Sequence, residues 1–435
     1  MQHDVSRRRF LGRAGRAIAA GAAAPYVVAS AALGGPDKAP ASERIAVGHI
    51  GVGGRGGGLL RSTVGGRLTT SVAVCDIDKE RLARAESTTE GKAKPYHDFR
   101  KLLERPDIDA VVIGSPDHWH ALHVILACQA GKDAYTEKPM CVTIREGQAI
   151  IAAAQRYARV VQVGSQGRSQ LAGRYSAQYV RNGYCGRIRE VRCWHYPNPS
   201  RPASPPSPVP PHLDYDMWLG PLPYFPYHPS HTHGSFRWLM ASGGGNIRDR
   251  GAHIFNIVCW AMNVDHTGPV SVEATGDIPD GLYDIPTTMS VVYQFKDPDW
   301  TLHWDQPGEP RCLTGEARPP AYGVAFIGDK DTLVVGNCDG VRGDKKVFFE
   351  PGAHEVELYK SNDHLGNFWD CVRSRRPCIV PPEAGQRITS LCALGNIAYR
   401  VGRKLRYDPV KEEILGDDEA SRQLHYPYRQ PWKLL

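Results

Sequence analysis

The apolar run Ile45-Ala46-Val47-Gly48-His49-Ile50 ends directly on Gly51-Val52-Gly53-Gly54-Arg55-Gly56. A short apolar run closed by glycine reads as a buried strand, and the residues from Leu59 onward suit a helix. Between the two, G-x-G-x-x-G has a mechanical meaning. Gly51 permits the tight turn, Gly53 leaves backbone N–H groups open to a close-lying pyrophosphate, and Gly56 lets helix and strand approach. The helix N-terminus adds partial positive charge facing the phosphates. Asp76 stands 25 residues beyond Gly51, at the end of the next expected strand. A carboxylate there accepts hydrogen bonds from ribose hydroxyls and repels a 2′-phosphate, so the pattern selects NAD over NADP. Arg55 and Lys79 are the nearby cations available to soften that preference.

Strands and helices alternate beyond this motif. Apolar strands are expected at 45–50, 71–75, 110–113, 134–136 and 160–163, with helices from 59, over 118–130 and over 144–157. This alternation specifies an α/β Rossmann domain at 43–165, a parallel sheet covered on both faces. The pattern then changes. Residues 171–182 suit a helix and 187–195 a strand, whereas 197–229 are rich in proline, which predicts a long surface excursion without regular elements. Strand-like segments at 270–274, 289–295, 301–304, 324–327, 332–335 and 346–349 predict a C-terminal α+β domain over 166–408 with a large mixed or antiparallel sheet. Helices at 366–374 and 383–401 close that domain, and 409–435 form a tail.

The N-terminus reads as an address. Ser6-Arg7-Arg8-Arg9-Phe10-Leu11 precedes a small-residue apolar run that includes Pro25, and Ala29-Ser30-Ala31 offers a cleavage site. Residues 1–31 therefore resemble a twin-arginine signal, which passes folded proteins out of the cytoplasm, into the periplasm or otherwise to the exterior. Residues 32–42 form a Gly/Pro/Ala linker. The run is too short and too weakly apolar for a stable membrane span once the signal is cleaved. The formal charge of +7 falls to +3 for residues 32–435, because 1–31 carry five arginines against Asp4. That charge is too small and dispersed for nucleic-acid binding. The eleven cysteines form no C-x-x-C pair and several lie in apolar runs, so they read as core thiols.

Three further motifs connect the domains to one family. Ser115-Pro116-Asp117-His118-Trp119-His120, Glu137-Lys138-Pro139, and Gly243-Gly244-Gly245-Asn246-Ile247-Arg248-Asp249-Arg250-Gly251-Ala252-His253 together resemble the Gfo/Idh/MocA oxidoreductases. The resemblance runs from about 44 to 408. The signal, Asp216-Met217-Trp218-Leu219-Gly220-Pro221 and Leu394-Gly395-Asn396-Ile397-Ala398 look like its exported branch. It implies a Rossmann domain followed by an α/β domain whose open sheet often joins subunits, hence a homodimer or homotetramer. It also implies that Lys138, Asp249 and His253 meet substrate beside the nicotinamide. The expected cofactor contacts are Gly51, Gly53, Gly54, Arg55, Gly56, Asp76, Ser115, Pro116, Trp119, His120, Glu137 and Lys138.

The residue chemistry is compatible with that trio. Asp249 and His253 are spaced i, i+4 and share one face of a single helix. Hydride removal from a carbinol carbon needs a base, which histidine supplies near neutrality, while a lysine ammonium stabilises the developing alkoxide. His212, His228, His231 and His233 lack the spacing of a zinc site, and no metal is assigned. With Tyr224, Tyr227, Arg237 and Trp238 the Pro-rich loop reads instead as lining for a saccharide; Tyr224, His231, Arg237 and Trp238 are the substrate candidates. An exported chain meets little free NAD(H), so the cofactor is expected to stay bound and the hydride to be recycled in place. The resulting reading is an NAD-dependent oxidoreductase acting on CH–OH groups of a sugar or glycoside. Two alternatives stay open. One is a redox-neutral glycoside hydrolase, in which transient oxidation acidifies the neighbouring C–H, the aglycone leaves by elimination, water adds and the hydride returns. The D-x-x-x-H pattern departs from the N-acetylgalactosaminidase branch of that kind. The other is a non-catalytic nucleotide-binding assembly protein.

Overall fold

A computed structural model describes Gly35 and residues 38–308, 321–336, 342–343 and 352–434. The segment expected to act as an export signal, the strand expected at 346–349, Cys312 and Cys338 lie outside these residues. The chain divides into two compact units, Met1–Arg44 with Gly66–Leu68, and Ile45–Gly65 with Thr69–Leu435. In the first, a 3-10 turn spans Ala41–Glu43, and Lys38 Nζ donates to Gly66 O at 2.7 Å.

The second unit is built on two sheets. The first contains β1 (Ile45–Ile50), β2 (Thr69–Cys75), β3 (Lys94–Tyr96), β4 (Ala110–Ile113), β5 (Asp133–Glu137) and β6 (Val161–Gly164). All pairs are parallel, in the order β3-β2-β1-β4-β5-β6. Every residue of β4 is buried, as a strand covered on both faces requires. The order reverses between β1 and β4, so a crevice opens at their carboxyl ends. The helices Gly54–Gly65, Asp117–Gln129 and Ile144–Arg156 fall close to their expected positions. The last starts with a capping box in which Thr143 and Glu146 satisfy each other's backbone N–H groups.

The second sheet contains β7 (Ile188–Trp194), β8 (Ser271–Gly276), β9 (Met289–Phe295), β10 (Trp300–Gln306), β11 (Gly323–Gly328), β12 (Thr332–Gly336), β13 (Arg342–Gly343), β14 (Leu405–Asp408) and β15 (Glu413–Ile414). Their order is β13-β12-β11-β7-β10-β9-β8-β14-β15, mixed because β7 and β10 run parallel. Side chains of β9 and β10 alternate between buried and half-buried. On the buried face, Tyr293 donates to Leu391 O at 2.7 Å and packs edge-on against Phe255, joining the sheet to the helices Pro382–Val401 and Gly251–Ala261.

The Pro-rich excursion departs from expectation. Tyr215–Leu219 is helical, with Asp214 capping Met217 N at 3.0 Å. Its carbonyl end is pinned by the first domain, because Trp218 O accepts from Trp119 Nε1 at 3.2 Å and lies 2.9 Å from His118 Nε2. The nine cysteines within the described residues are all buried, as core thiols. No helix among those residues is long and apolar enough to cross a membrane.

Candidate functional site

The turn after β1 is held by backbone crowding. Gly51 has φ +76°, and a Cβ there would lie 2.5 Å from Ser115 N. A Cβ on Gly56 would lie 1.8 Å from Gly51 O. The helix start, the β1 turn and the end of β4 therefore touch backbone to backbone, and the space above the turn stays open. Asp76 closes β2 and is buried. Its Oδ2 accepts from Val52 N at 2.9 Å and its Oδ1 from Asp78 N at 3.0 Å. Burial pushes its carboxyl pKa up, against the pull of those amides and of Arg81.

A cleft of about 710 Å³ runs from this turn into the second domain, and a narrow extension of about 70 Å³ reaches Asp76 and Trp119. Gly53, Gly54, Arg55, Ser115, Pro116, His120, Glu137 and Lys138 line the cleft, as do Arg237, Trp238, Asp249 and His253. Gly51 and Asp76 line the extension, while Gly56 faces inward against Gly51. His120 ties two of these loops, its Nδ1 2.7 Å from Pro139 O and its Nε2 2.8 Å from Ser115 O. Trp119 is mainly an anchor: its Nε1 donates to Met217 O at 3.0 Å and its ring stacks on His123.

The cation near Asp76 is Arg81, which borders both the cleft and its extension. Arg55 instead pairs with Glu137, Nε to Oε1 at 2.8 Å, and the side chain of Lys79 is exposed. With Asp76 replaced by serine, the ratio of NADP to NAD affinity is expected to rise roughly tenfold, Arg81 then meeting the 2′-phosphate. Adding Arg81→Ala should cancel the gain. Titration of both nucleotides checks this, and an unchanged ratio would remove Asp76 from the selecting role.

At the far end, Lys138 extends from the end of β5. Its Nζ donates to Asp249 Oδ1 at 2.6 Å and to Asp249 O at 2.9 Å. Arg237 Nε lies 3.0 Å from Asp249 Oδ1, and Arg250 Nε 3.7 Å from Oδ2. Burial opposes ionisation of Asp249, but Lys138, Arg237 and Arg250 overcome it and hold the carboxyl well below the usual range. His253 is buried beside the same cations. Burial and then Lys138 push its pKa well below the ordinary histidine value, so the ring is neutral, and its Nδ1 has no partner. The single helix expected from Asp249 to His253 is interrupted. Asn246–Asp249 and Gly251–Ala261 are separate helices meeting at Arg250, and both side chains still face the cleft.

Two substrate candidates lie elsewhere. Tyr224 is 70% exposed and outside the cleft lining. His231 also lies outside it, turned so that its Nε2 is 3.0 Å from Leu282 O. The clustered histidines diverge as well: His228 Nε2 is 3.0 Å from Ser204 Oγ, while His233 Nε2 is 3.5 Å from Asp78 Oδ2. His212 joins Asp78 and Glu80, with ligand atoms within 4.8 Å of one another, but Asp78 already caps a helix through Glu80 N and Arg81 N.

Asp117 is the main addition to the site. It sits in the cleft at the start of its helix, fully buried, and its Oδ2 has no partner. Burial raises its pKa to about 7 against the pull of Arg237 and Lys138. An acid in the first turn of a helix reads locally as a favourable dipole partner, which gave no signal of its burial.

A doubly wound sheet with a glycine turn at its switch point and an acid closing the second strand defines a dinucleotide-binding protein. The open backbone above the turn and the carboxylate of Asp76 fit NAD. Residues 45–165 match the family described as "Oxidoreductase family, NAD-binding Rossmann fold", and 192–301 with 353–434 match its C-terminal alpha/beta domain. The chain belongs to the Gfo/Idh/MocA oxidoreductase family. It is 30% identical over 218 residues to a glycosyl hydrolase family 109 protein of Streptomyces coelicolor, covering 43% of this chain and 46% of that one. It is 32% identical over 174 residues to an alpha-N-acetylgalactosaminidase of Shewanella oneidensis, covering 35% and 38%. The match thus spans less than half the length of each relative. The WlbA dehydrogenase of Bordetella pertussis, solved with NADH and UDP-GlcNAcA, superposes with a TM-score of 0.63 at 18% identity, covering 84% of this chain and 99% of that one.

Proposed function

We propose that this chain transfers a hydride between a carbinol carbon of a sugar or glycoside and a retained NAD. The observation that carries the reading is the convergence of Lys138, Asp249, His253 and Asp117 in the cleft that begins at the glycine turn. NAD bound there supplies the hydride acceptor and donor. Lys138 stabilises negative charge developing on the substrate oxygen. Asp249, ionised throughout the working pH range, fixes the Lys138 ammonium. Neutral His253 hydrogen-bonds the substrate and is available to take its hydroxyl proton, while Asp117 holds or releases a proton near neutrality. Arg237 and Trp238 flank the sugar.

A second reading is favoured by the names of the curated relatives. A redox-neutral glycosidase needs an acid for the departing glycosidic oxygen, and a buried carboxyl still protonated near neutrality suits that task. Extraction of bound nucleotide, followed by incubation with free sugars and aryl glycosides, separates the two. Net NADH or a paired reduced sugar supports the oxidoreductase; aglycone release without net NADH supports the glycosidase. Absence of any bound or bindable nucleotide would sink both. Secretion through the twin-arginine route belongs to the same proposal, tested by replacing Arg7, Arg8 and Arg9 with lysine and assaying the periplasm. So does self-association through the half-buried face of β9 and β10, tested by light scattering of the purified chain.

Asp117 gives a pH test. Between the ordinary carboxyl value and about 7 the folded chain retains a proton that the unfolded chain releases. Stability from this group is therefore present at low pH and lost as pH rises through that window. Asp117→Asn should flatten the slope of stability against pH between about 4 and 7 and lower turnover about 100-fold or more. Chemical denaturation at stepped pH checks the slope; parallel curves for the two proteins would refute the assigned ionisation.

A further inference from the structure

A second cavity, of about 470 Å³, lies beyond the short helix Asn246–Asp249 from the cofactor cleft. Asn246 and Asp249 line the cleft, whereas Arg248, between them in sequence, lines the cavity. We propose that this cavity binds a small hydroxylated oxyanion, held by Arg248, Arg400 and Arg422.

Arg248 carries the argument. It is 4% exposed, its Nε has no partner, and its Nη1 donates only a long bond, 3.3 Å, to Met240 O. Among the described residues, no carboxylate lies within 4.0 Å of the guanidinium groups of Arg248, Arg400 or Arg422. Three acids stand near without pairing: Asp117 in the cofactor cleft, Glu146, and Asp284 on the cavity wall, the last two held by other partners. Glu146 accepts from Val142 N, Thr143 N and Tyr428 Oη. Asp284 accepts from Met240 N at 2.6 Å. A buried guanidinium without a matched anion is costly, and a cavity wall is where an incoming anion relieves that cost.

Neutral groups on the same wall add to the recognition pattern. Asn396 is 3% exposed; its Nδ2 donates to Gly244 O at 3.0 Å, which leaves Oδ1 as a buried acceptor without a partner. The Tyr426 hydroxyl and Gln423 Oε1 are likewise buried and unpartnered. Three arginines and a phenol serve an oxyanion, and two amide oxygens serve hydroxyl groups on the same molecule. His425 also borders the cavity. A phosphate ester or a hydroxy acid of a few carbons has this chemistry. The inference is independent of the reaction proposed above, since it concerns binding alone.

The test uses the full chain with saturating NAD, so that the glycine turn is filled and cannot capture phosphate. Inorganic phosphate, glycerol 3-phosphate and D-glycerate are titrated by calorimetry at constant ionic strength set with chloride. Saturable one-site binding is expected, tighter for glycerol 3-phosphate than for inorganic phosphate, because only the former carries carbinol hydroxyls for Asn396 Oδ1 and Gln423 Oε1; equal affinity for the two would remove the hydroxyl recognition. The exposed pair Arg400→Ala/Arg422→Ala should weaken it about tenfold or more without disturbing the fold. Arg248→Met should abolish it; should that variant fail to fold, the exposed pair and Asn396→Ala still decide the matter. Binding that is unaltered in the exposed pair, or no binding of any of the three anions, overturns the proposal.

Discussion

Lys138→Met is expected to lower turnover on the responsive sugar about 100- to 1,000-fold while the protein still carries NAD, the range found when one donor to a developing oxyanion is removed. Two observations separate the chemical effect from collapse of the site. The Asp249 carboxylate loses its shortest partner but keeps Arg237 Nε at 3.0 Å and Arg250 Nε at 3.7 Å, so its buried charge remains compensated. The backbone N–H of Lys138, 3.3 Å from Glu137 Oε2, is retained. The loss should therefore appear in kcat, with nucleotide content after denaturing extraction close to that of the wild type. Removing the ammonium beside His253 also lifts one of the causes that depress its pKa, so the residual activity should show a histidine titration shifted toward neutrality. Undiminished turnover would dismiss Lys138 from the chemistry; lost NAD would reassign it to cofactor binding.

How far the site was legible follows from where its information lies. The glycine turn, Asp76, Glu137-Lys138-Pro139 and Asp249/His253 are encoded by short spacings on elements whose periodicity is itself readable, and the fold brings them to one cleft. Side chains that meet the cleft through long-range packing left no such trace. Arg81 lies on Lys79–Thr88, a helix that buries only Ala85 and so shows no apolar stripe. Asp117 looks like an ordinary first-turn acid until the depth of its burial is known. Composition misplaced Tyr224 and His231 for the converse reason. A proline-rich segment rich in rings suggests a lining, but which rings turn inward depends on partners as remote as Leu282, 51 residues from His231. The edge strand β3, Lys-Pro-Tyr, and the two-residue β15 are too short to show a period.

The second large effect concerns two glycines of one helix. Gly56→Ala should unfold the nucleotide site, whereas Gly58→Ala should strengthen the same helix. Both lie within Gly54–Gly65, and helix propensity alone favours alanine at each. Space decides otherwise. At Gly58 the nearest atom to an added Cβ is Arg61 Nη2, at 3.9 Å, so the substitution gains about 0.5–1 kcal/mol. At Gly56 the Cβ would stand 1.8 Å from the backbone oxygen of Gly51, where real Cβ contacts essentially never fall under 3.0 Å. No rotamer relieves a clash between two backbones. The helix start must move away from β1, at about 1–3 kcal/mol or more, and its N–H groups move with it, off the position that receives a pyrophosphate. Gly56→Ala should thus lower Tm and weaken NAD binding by at least about tenfold, while Gly58→Ala raises Tm slightly and leaves NAD affinity unchanged. Thermal melts with and without NAD measure both. If Gly56→Ala bound NAD as the wild type does, the close packing of turn and helix would not be what shapes the cofactor site.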